Sequence, residues 1–206
     1  MNEYEAKTLL KNVGIRVPNS TVVQSEEDLK NMNLRYPLVA KVLSDEILHK
    51  SDVGGVILRI QNENDAIYAF KKIHEKFGTP VLFEEMIQGG VELIVGVTVD
   101  PSFGHAIMFG LGGIFTEIYK DVTFRVIPIT KEDAEDMLED IKGKKIIEGY
   151  RGINVKREKI IELLLKVSNL VEKEPDIVGM DLNPVLATEN DVYVLDAKII
   201  KASQSP

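Results

Sequence analysis

The sequence predicts an α+β fold, and three observations carry that expectation. The middle of the chain is a succession of apolar segments, VLFEEMI, VELIVGVTVD, HAIMFGLGG and VTFRVIPI, joined by turn signals such as QGG and DPSFG. Those joints are too short for crossover helices, so the strands must pair antiparallel. Helical patterns with clean ends lie on either side of this run, and no G-x-G-x-x-G follows a strand, which argues against a doubly wound dinucleotide sheet.

The elements follow in order. YEAKTLLKNVGIRVP reads as a helix with an apolar stripe of Ala6, Leu9, Leu10 and Val13; Gly14 fits the position after its end and Pro18 forbids continuation. TVV is a short strand. Ser25 with Asp28 opens the acidic helix EEDLKNM. PLVAKVL and GVILRI are strands, and ENDAIYAFKKIHEKFG repeats the helix-then-glycine pattern, with His74 on its solvated side. After the β-rich middle, Thr130 and Asp133 cap a helix to about Asp140, and an amphipathic helix spans about residues 156–172 with Ile160, Ile161, Leu164, Val167 and Val171 on one face. Two strands close the chain, IVGMDLNPV and VYVLDAKII.

Composition narrows the function. The 206 residues are 44% hydrophobic, enough for one core or for two lobes. There is no apolar run long enough to span a membrane, no apolar leader in MNEYEAKTLL, and no cysteine for a disulfide or thiolate site. The expected location is the cytoplasm. A net charge of −8 with interspersed cations disfavours nucleic acid and membrane surfaces, yet leaves room for a small anionic ligand met by a few aimed cations.

Several residues do not belong in a plain core. Lys41 interrupts the run LVAKV, either pointing out from an edge strand or aimed at a phosphate oxygen. GLGGIFTE places Gly110, Gly112 and Gly113 straight after an apolar strand, as an anion nest or a hairpin turn does. Lys120 and Arg125 follow in YKDVTFRVIP, and Arg125 breaks a second apolar strand. Cations plus a glycine loop point to a polyanion, and polyphosphates bring Mg2+. Asp181 and Asn183 share a strand face. If the last hairpin centres on Glu189 and Asn190, Asn183 falls opposite Asp196, giving a hard-oxygen cluster. Glu84, Glu85, Met86 and Ile87 end a strand whose backbone suits a base edge. Glu92 is the better candidate for a ribose hydroxyl. The loop ILHKSDVGGV packs His49, Lys50 and Asp52 together, as a surface turn or as a holder of phosphate.

In this order the blocks PLVAKV, HKSDVGGV, VELIVG, DPSFG, FGLGGIFTE, KDVTFRVIP and MDLNPV resemble the ATP-grasp unit of the NDP-forming acyl-CoA synthetases. EYEAK and DLNPV are more distantly similar to succinyl-CoA synthetase β subunits. The resemblance implies an ATP-grasp fold with a smaller lobe at 17–88, a larger lobe at 1–16 and 89–206, and ATP or ADP between them. It implies that Lys41, Lys50, Gly112 and Gly113 meet phosphates, that 84–87 line the adenine, and that Glu92 faces the ribose. Asn183, Asp196 and Asp181 would hold Mg2+, and Arg125 would neutralise charge on the moving phosphoryl group.

The activity implied is acyl-CoA + ADP + phosphate = carboxylic acid + ATP + CoA. A CoA-binding α subunit would carry the first phosphohistidine, in an α2β2 assembly. The same resemblance assigns His49 as a second phosphohistidine; a histidine that only hydrogen-bonds phosphate is the alternative. The chain departs from the family pattern in starting almost at EYEAK, in the short connection EKFGTPV, and in His105, which reads as structural. Two other functions compete: a self-contained ATP-grasp carboxylate–amine ligase, for which 206 residues leave little room, and a non-catalytic nucleotide-sensing module, which has little need of His49.

Overall fold

The computed structural model describes residues 1–202, apart from 45, 48, 49 and 114–117 and apart from the side chain of Arg151. The described chain divides into two compact units. One comprises Asn2–Glu5 and Pro18–Gln88, and the other comprises Met1, Ala6–Val17 and the chain from Gly89 onward.

The first of these units is built on a four-stranded antiparallel sheet. Its strands are β1 (Ser20–Val23), β2 (Leu38–Val42), β3 (Val56–Ile60) and β4 (Val81–Glu85), in the order β1-β4-β2-β3. Helices α2 (Glu26–Lys30) and α3 (Glu63–Phe77) supply the apolar partners for one sheet face, burying Leu29, Ala66, Ala69, Phe70 and Ile73 with Leu38, Ala40, Val42, Val81 and Phe83. Ser25 and Asp28 close the expected capping box of α2. The long helix α3 ends on Gly78 in the left-handed conformation at φ 65°. His74 is not a solvated surface residue. In the last turn of α3 its Nδ1–H donates to the Thr79 carbonyl at 2.8 Å, and its ring stacks on Phe70.

The larger unit has helix α1 (Glu3–Asn12) from Ala6 onward, then β5 (Val91–Asp100), β6 (Gly104–Leu111) and β7 (Val122–Val126) as an antiparallel meander. Helices α4 (Lys131–Asp140), α5 (Lys144–Ile147) and α6 (Arg157–Lys173) precede strands β8 (Ile177–Ala187), β9 (Val192–Val194) and β10 (Ala197–Lys201). The sheet order is β10-β8-β5-β6-β7, with β9 beside β8. Thr130 and Asp133 form the expected box on α4, and α6 buries Ile160, Ile161, Leu164, Val167 and Val171 as its periodicity requires. The short helix α5 and the 3-10 turn at Tyr150–Gly152 left no periodic signal. The last strand of the sequence reading divides into β9 and β10 around Leu195 and Asp196. Among the described residues no helix is long and apolar enough to cross a membrane.

Strand register decides which side chains share a face. Arg125, Ile107, Val97 and Met180 pair successively across β7, β6, β5 and β8 on the face that carries the core residues Ile107 and Val97. The adjacent row, Phe124, Met108, Gly96, Asp181 and Lys198, lies on the opposite face. Close approach of β6 and β7 depends on Gly110. A Cβ there would stand 2.5 Å from the Asp121 carbonyl oxygen, a backbone atom that cannot rotate away. Gly110→Ala is therefore expected to destabilise the chain by about 1–3 kcal/mol, the usual penalty of overpacking. A calorimetric melt should fall by roughly 3–10 °C for a chain of this size; an unshifted melt would contradict this packing.

Candidate functional site

Lys41 is not on an edge. It lies within β2, which pairs with both β3 and β4, and its side chain is only 10% exposed. The register sets Lys41 opposite Leu82 and Val39 opposite Glu84, so Lys41 and Glu84 are diagonal neighbours on the face turned away from α3. The ammonium lies 2.7 Å from Glu84 Oε1 and 2.8 Å from Glu3 Oε1. The other oxygen of Glu3 accepts from the Lys50 ammonium. Among the described residues, two lysines and two almost fully buried glutamates thus meet in one cluster. Isolated charges could not be buried this way, because desolvation of each must be matched by a partner.

Lys50 belongs to the loop that carries the histidine. Residues 50–55 close on themselves through Gly55 N–H to the Lys50 carbonyl at 2.7 Å, and Val42 N–H ties them to β2 through the Gly55 carbonyl at 2.7 Å. Gly54 supplies a left-handed turn at φ 72°. Gly55 serves close packing, since a Cβ there would meet Val42 Cγ1 at 2.5 Å. His49 itself lies outside the described residues.

At the end of β4, Glu85 is bound by Arg35 and by Asn19 Nδ2. Partial burial pushes its carboxyl upward, but the hydrogen bonds from the Arg35 backbone and guanidinium and from Asn19 together hold it below the usual range. The Glu85 N–H donates to the Asn19 carbonyl and the Met86 N–H to the Pro37 carbonyl, both at 2.9 Å. Backbone donors available for a base edge therefore begin at Ile87.

In the larger unit the glycine loop packs on Glu92. The Gly112 N–H donates to the Glu92 carbonyl at 2.8 Å, and a Cβ on Gly112 would stand 3.1 Å from the Glu92 backbone. Gly113 takes φ 64°, with Glu92 Oε2 3.4 Å from where its Cβ would lie. Residues 114–117 of the same block are outside the described set. Where the loop returns, buried Asp121 accepts the N–H groups of Lys142 and Gly143 at 2.7 and 2.8 Å.

The hairpin registers place Asn183 opposite Asp196, with the Asn183 N–H 3.2 Å from the Asp196 carbonyl oxygen. A register shift between Leu93 and Val95 sets Asn183 and Pro184 of β8 against the single residue Ile94, which is a bulge. Asp181 and Asn183 are exposed while Leu182 between them is buried. Loss of solvent, then the nearby Asp196 carboxylate, raises the Asp181 carboxyl above its ordinary range, opposed by Lys198 across the strand. Among the described residues no three acidic or histidine side chains converge. What β8 and the residue just before β10 present is a carboxylate pair with one amide, the kind of sparse hard-oxygen set that Mg2+ uses when phosphates and water complete its shell.

Residues 1–200 match the ATP-grasp domain family. The β subunit of acetate–CoA ligase (ADP-forming) II from Pyrococcus furiosus is 45% identical over 97% of this chain and 91% of its own length. This chain belongs to the ATP-grasp family of the ADP-forming acetate–CoA ligases. Acetate–CoA ligase (ADP-forming) II from Archaeoglobus fulgidus is 41% identical over 96% of this chain, which spans only 30% of that relative's length. Among solved structures, the dinucleotide-forming acetyl-coenzyme A synthetase 1 of Ca. Korarchaeum cryptofilum superposes with a TM-score of 0.86 at 38% identity, covering 97% of this chain and 91% of that one. That structure holds coenzyme A and Mg-AMPPCP, with a phosphohistidine segment pointing towards its nucleotide-binding site. The expected α+β, ATP-grasp architecture and the family resemblance are both borne out.

Within this ATP-grasp chain the structure groups some of the expected residues and separates others. Lys41, Lys50 and Glu84 meet in one cluster; Glu92 meets Gly112 and Gly113; Asp181, Asn183 and Asp196 adjoin. Arg125 does not join the Asp181 row. It projects from the opposite sheet face, where its guanidinium binds Asp140 at 2.6 Å, Thr123 at 3.0 Å and the Phe124 carbonyl at 2.9 Å. Two residues went unread in the sequence, Glu3 and Lys7 of EYEAK. Both are buried, with Lys7 Nζ donating to the Leu195 carbonyl, beside Asp196, at 2.6 Å. The signal was their spacing with Ala6 and Leu10, which puts two charges on the apolar stripe of α1.

The Arg125–Asp140 pair has a pH signature. The hydrogen bond from Arg125 holds Asp140 below its ordinary value, so its stabilisation is present above an unfolded value of about 4 and is lost as pH falls through the folded one. Wild type is expected to melt above Asp140→Asn at neutral pH, with the gap closing on acidification. A gap that widens in acid would reverse the assignment.

Proposed function

We propose that the chain is the nucleotide-binding β subunit of an ADP-forming acyl-CoA synthetase of the acetate–CoA ligase type, working in the reaction acyl-CoA + ADP + phosphate = carboxylic acid + ATP + CoA. One observation carries this reading. The 45% identity to a β subunit extends over 91% of that subunit's length, so the likeness is to the subunit's sequence throughout and not to a shared fold alone.

In this reading Lys41, Lys50 and the Gly113 N–H bind phosphate oxygens, and Gly112, whose own N–H is held by the Glu92 carbonyl, shapes the loop that presents Gly113. The segment from Glu84 to Ile87 meets the adenine edge, chiefly through the Ile87 N–H and the carbonyls. Glu92 binds the ribose, and Asn183, Asp196 and Asp181 hold Mg2+. The donor chemistry fits that ion, since two mutually repelling carboxylates and an amide oxygen favour a hard dication. Bound there, Mg2+ would supply neutralisation of phosphate charge. Lys7 fixes the Leu195 carbonyl and so the start of the Asp196 segment. Arg125 acts as a positioning residue that ties β7 to α4 through Asp140.

His49 is the phosphoryl carrier on this subunit. A neutral imidazole nitrogen is nucleophilic near neutral pH, and its phosphoryl adduct remains reactive. In transfer to ADP the P–N bond breaks, the nitrogen retains the electron pair, and a P–O bond forms to the terminal ADP oxygen. Such chemistry relies on positioning and electrostatics more than on covalent assistance. The CoA site and the first phosphohistidine belong to a partner α subunit, in a cytoplasmic α2β2 assembly.

Mg-ADP at a hundredfold excess over its dissociation constant is expected to stabilise the chain by about 2.7 kcal/mol, or roughly 5–10 °C in melting temperature. Asp196→Ala should lose most of that gain. An unshifted wild-type melt at millimolar Mg-ADP would sink the nucleotide reading.

With its partner present, His49→Ala should abolish phosphoryl transfer to ADP while Mg-nucleotide binding survives. Turnover within about tenfold of wild type would end the carrier role, a loss of only about 1.4 kcal/mol in barrier terms.

A further inference from the structure

The mechanism above uses Lys41 and Lys50 but leaves Glu3 without a role, although Glu3 contacts both. Its carboxylate bridges the two ammonium groups, Oε1 on Lys41 and Oε2 on Lys50, and its side chain is 1% exposed. One anionic group with an oxygen on each of two buried lysines is the arrangement a phosphate takes in a two-cation clamp. We propose that Glu3 is a resident counter-ion: it occupies the phosphate position between Lys41 and Lys50 in the nucleotide-free chain and is displaced when the nucleotide binds. This rests on the nucleotide reading and adds to it a residue that sets nucleotide affinity.

The two glutamates of the cluster are not equivalent. Glu84 is part of β4, which is paired on one side with β1 and on the other with β2, so its backbone is fixed. It remains the permanent partner of Lys41. Glu3 is the first residue of α1, where Asn2 and Glu5 cap the helix through reciprocal hydrogen bonds of 2.9 and 3.0 Å. A carboxylate released at that position stays beside the positive end of the helix, so moving off the lysines does not strand it without compensation. The exchange is anion for anion. The lysines keep a countercharge in both states, which is the condition for leaving them buried.

The counter-ion role and a purely structural role predict opposite movements. Replacing Glu3 removes the competitor of the phosphate and also removes an internal ion pair. Glu3→Gln should therefore melt lower than wild type without ligand, yet bind Mg-ADP about tenfold more tightly by isothermal titration calorimetry. A glutamate that only supports the fold would lower the melting temperature and weaken or leave unchanged the Mg-ADP affinity, and that result overturns the inference. If Glu3→Gln does not fold, Glu3→Asp serves, because its shorter carboxylate cannot bridge both lysines and the same paired movement is expected. Wild-type binding of Mg-ADP is the separating control. Its absence defeats the nucleotide reading itself, whereas wild-type binding without tightening in either variant defeats only the role of Glu3.

Discussion

A lysine ammonium inside a β-sheet is tolerated only while its charge is answered, and Lys41 imposes that requirement on everything around it. Lys41 sits on an interior strand with its side chain only 10% exposed, so its charge must be answered from within the structure. Glu84 must therefore stand diagonally across β4, and the first residue of α1 must be acidic and face inward. Through Glu3 the same requirement reaches Lys50 and so the arm of the His49 loop that precedes β3. The second glutamate adds a countercharge within the cluster, which lessens the penalty of burying two lysines together.

The larger unit solves a different problem by register. An antiparallel sheet with helices on one face sends alternate residues to each side, so a single shift would exchange the core positions with those of the opposite face. The bulge at Asn183 and Pro184 presents Asn183 beside Asp196 without disturbing Leu182 and Val185, both fully buried. Glycine serves the same geometry by absence. At Gly143 a Cβ would stand 2.2 Å from Leu111 Cδ1 and 3.2 Å from Asp121 Oδ2, so the two stems of the glycine loop are drawn against one backbone position. Buried Asp121 completes that anchor by accepting two backbone N–H groups. The residues most readily recognised as ligands thus depend on others, Gly143, Asp121 and Lys7, that touch no ligand in the proposed function.

The ATP-grasp family likeness and the side-chain geometry speak to different levels of the function. Identity to a β subunit supports the proposed reaction class. The geometry assigns weight among residues that sequence blocks treat alike. Lys41 and Arg125 both interrupt apolar strands, yet one lies in a buried cluster of alternating charges and the other on a flanking strand in a partly exposed pair with Asp140. The Glu84–Glu85 pair divides similarly: Glu84 answers Lys41, and Glu85 answers Arg35 and Asn19.

Much was settled by the chain's own pattern. Short turns between apolar segments fix antiparallel pairing, because no crossover fits in them. The boxes at Ser25 with Asp28 and Thr130 with Asp133, and the glycine after α3, are local chemistry complete within a few residues. The opposition of Asn183 and Asp196 is also legible, since the centre of a two-stranded hairpin fixes every pair along it. What the sequence does not contain is which strands neighbour across long separations. That information made β2 interior, turned Lys41 inward, and sent Arg125 to the helix-covered face. Nor does it reveal, beyond placing Glu3 and Lys7 on the apolar stripe of α1, that both are buried. Charge at a stripe position reads as surface until a partner far along the chain, Lys41 for one and the Leu195 carbonyl for the other, is brought close enough to replace water. Only tertiary structure supplies that partner, because desolvation is decided by what packs in three dimensions and not by what stands next in the chain.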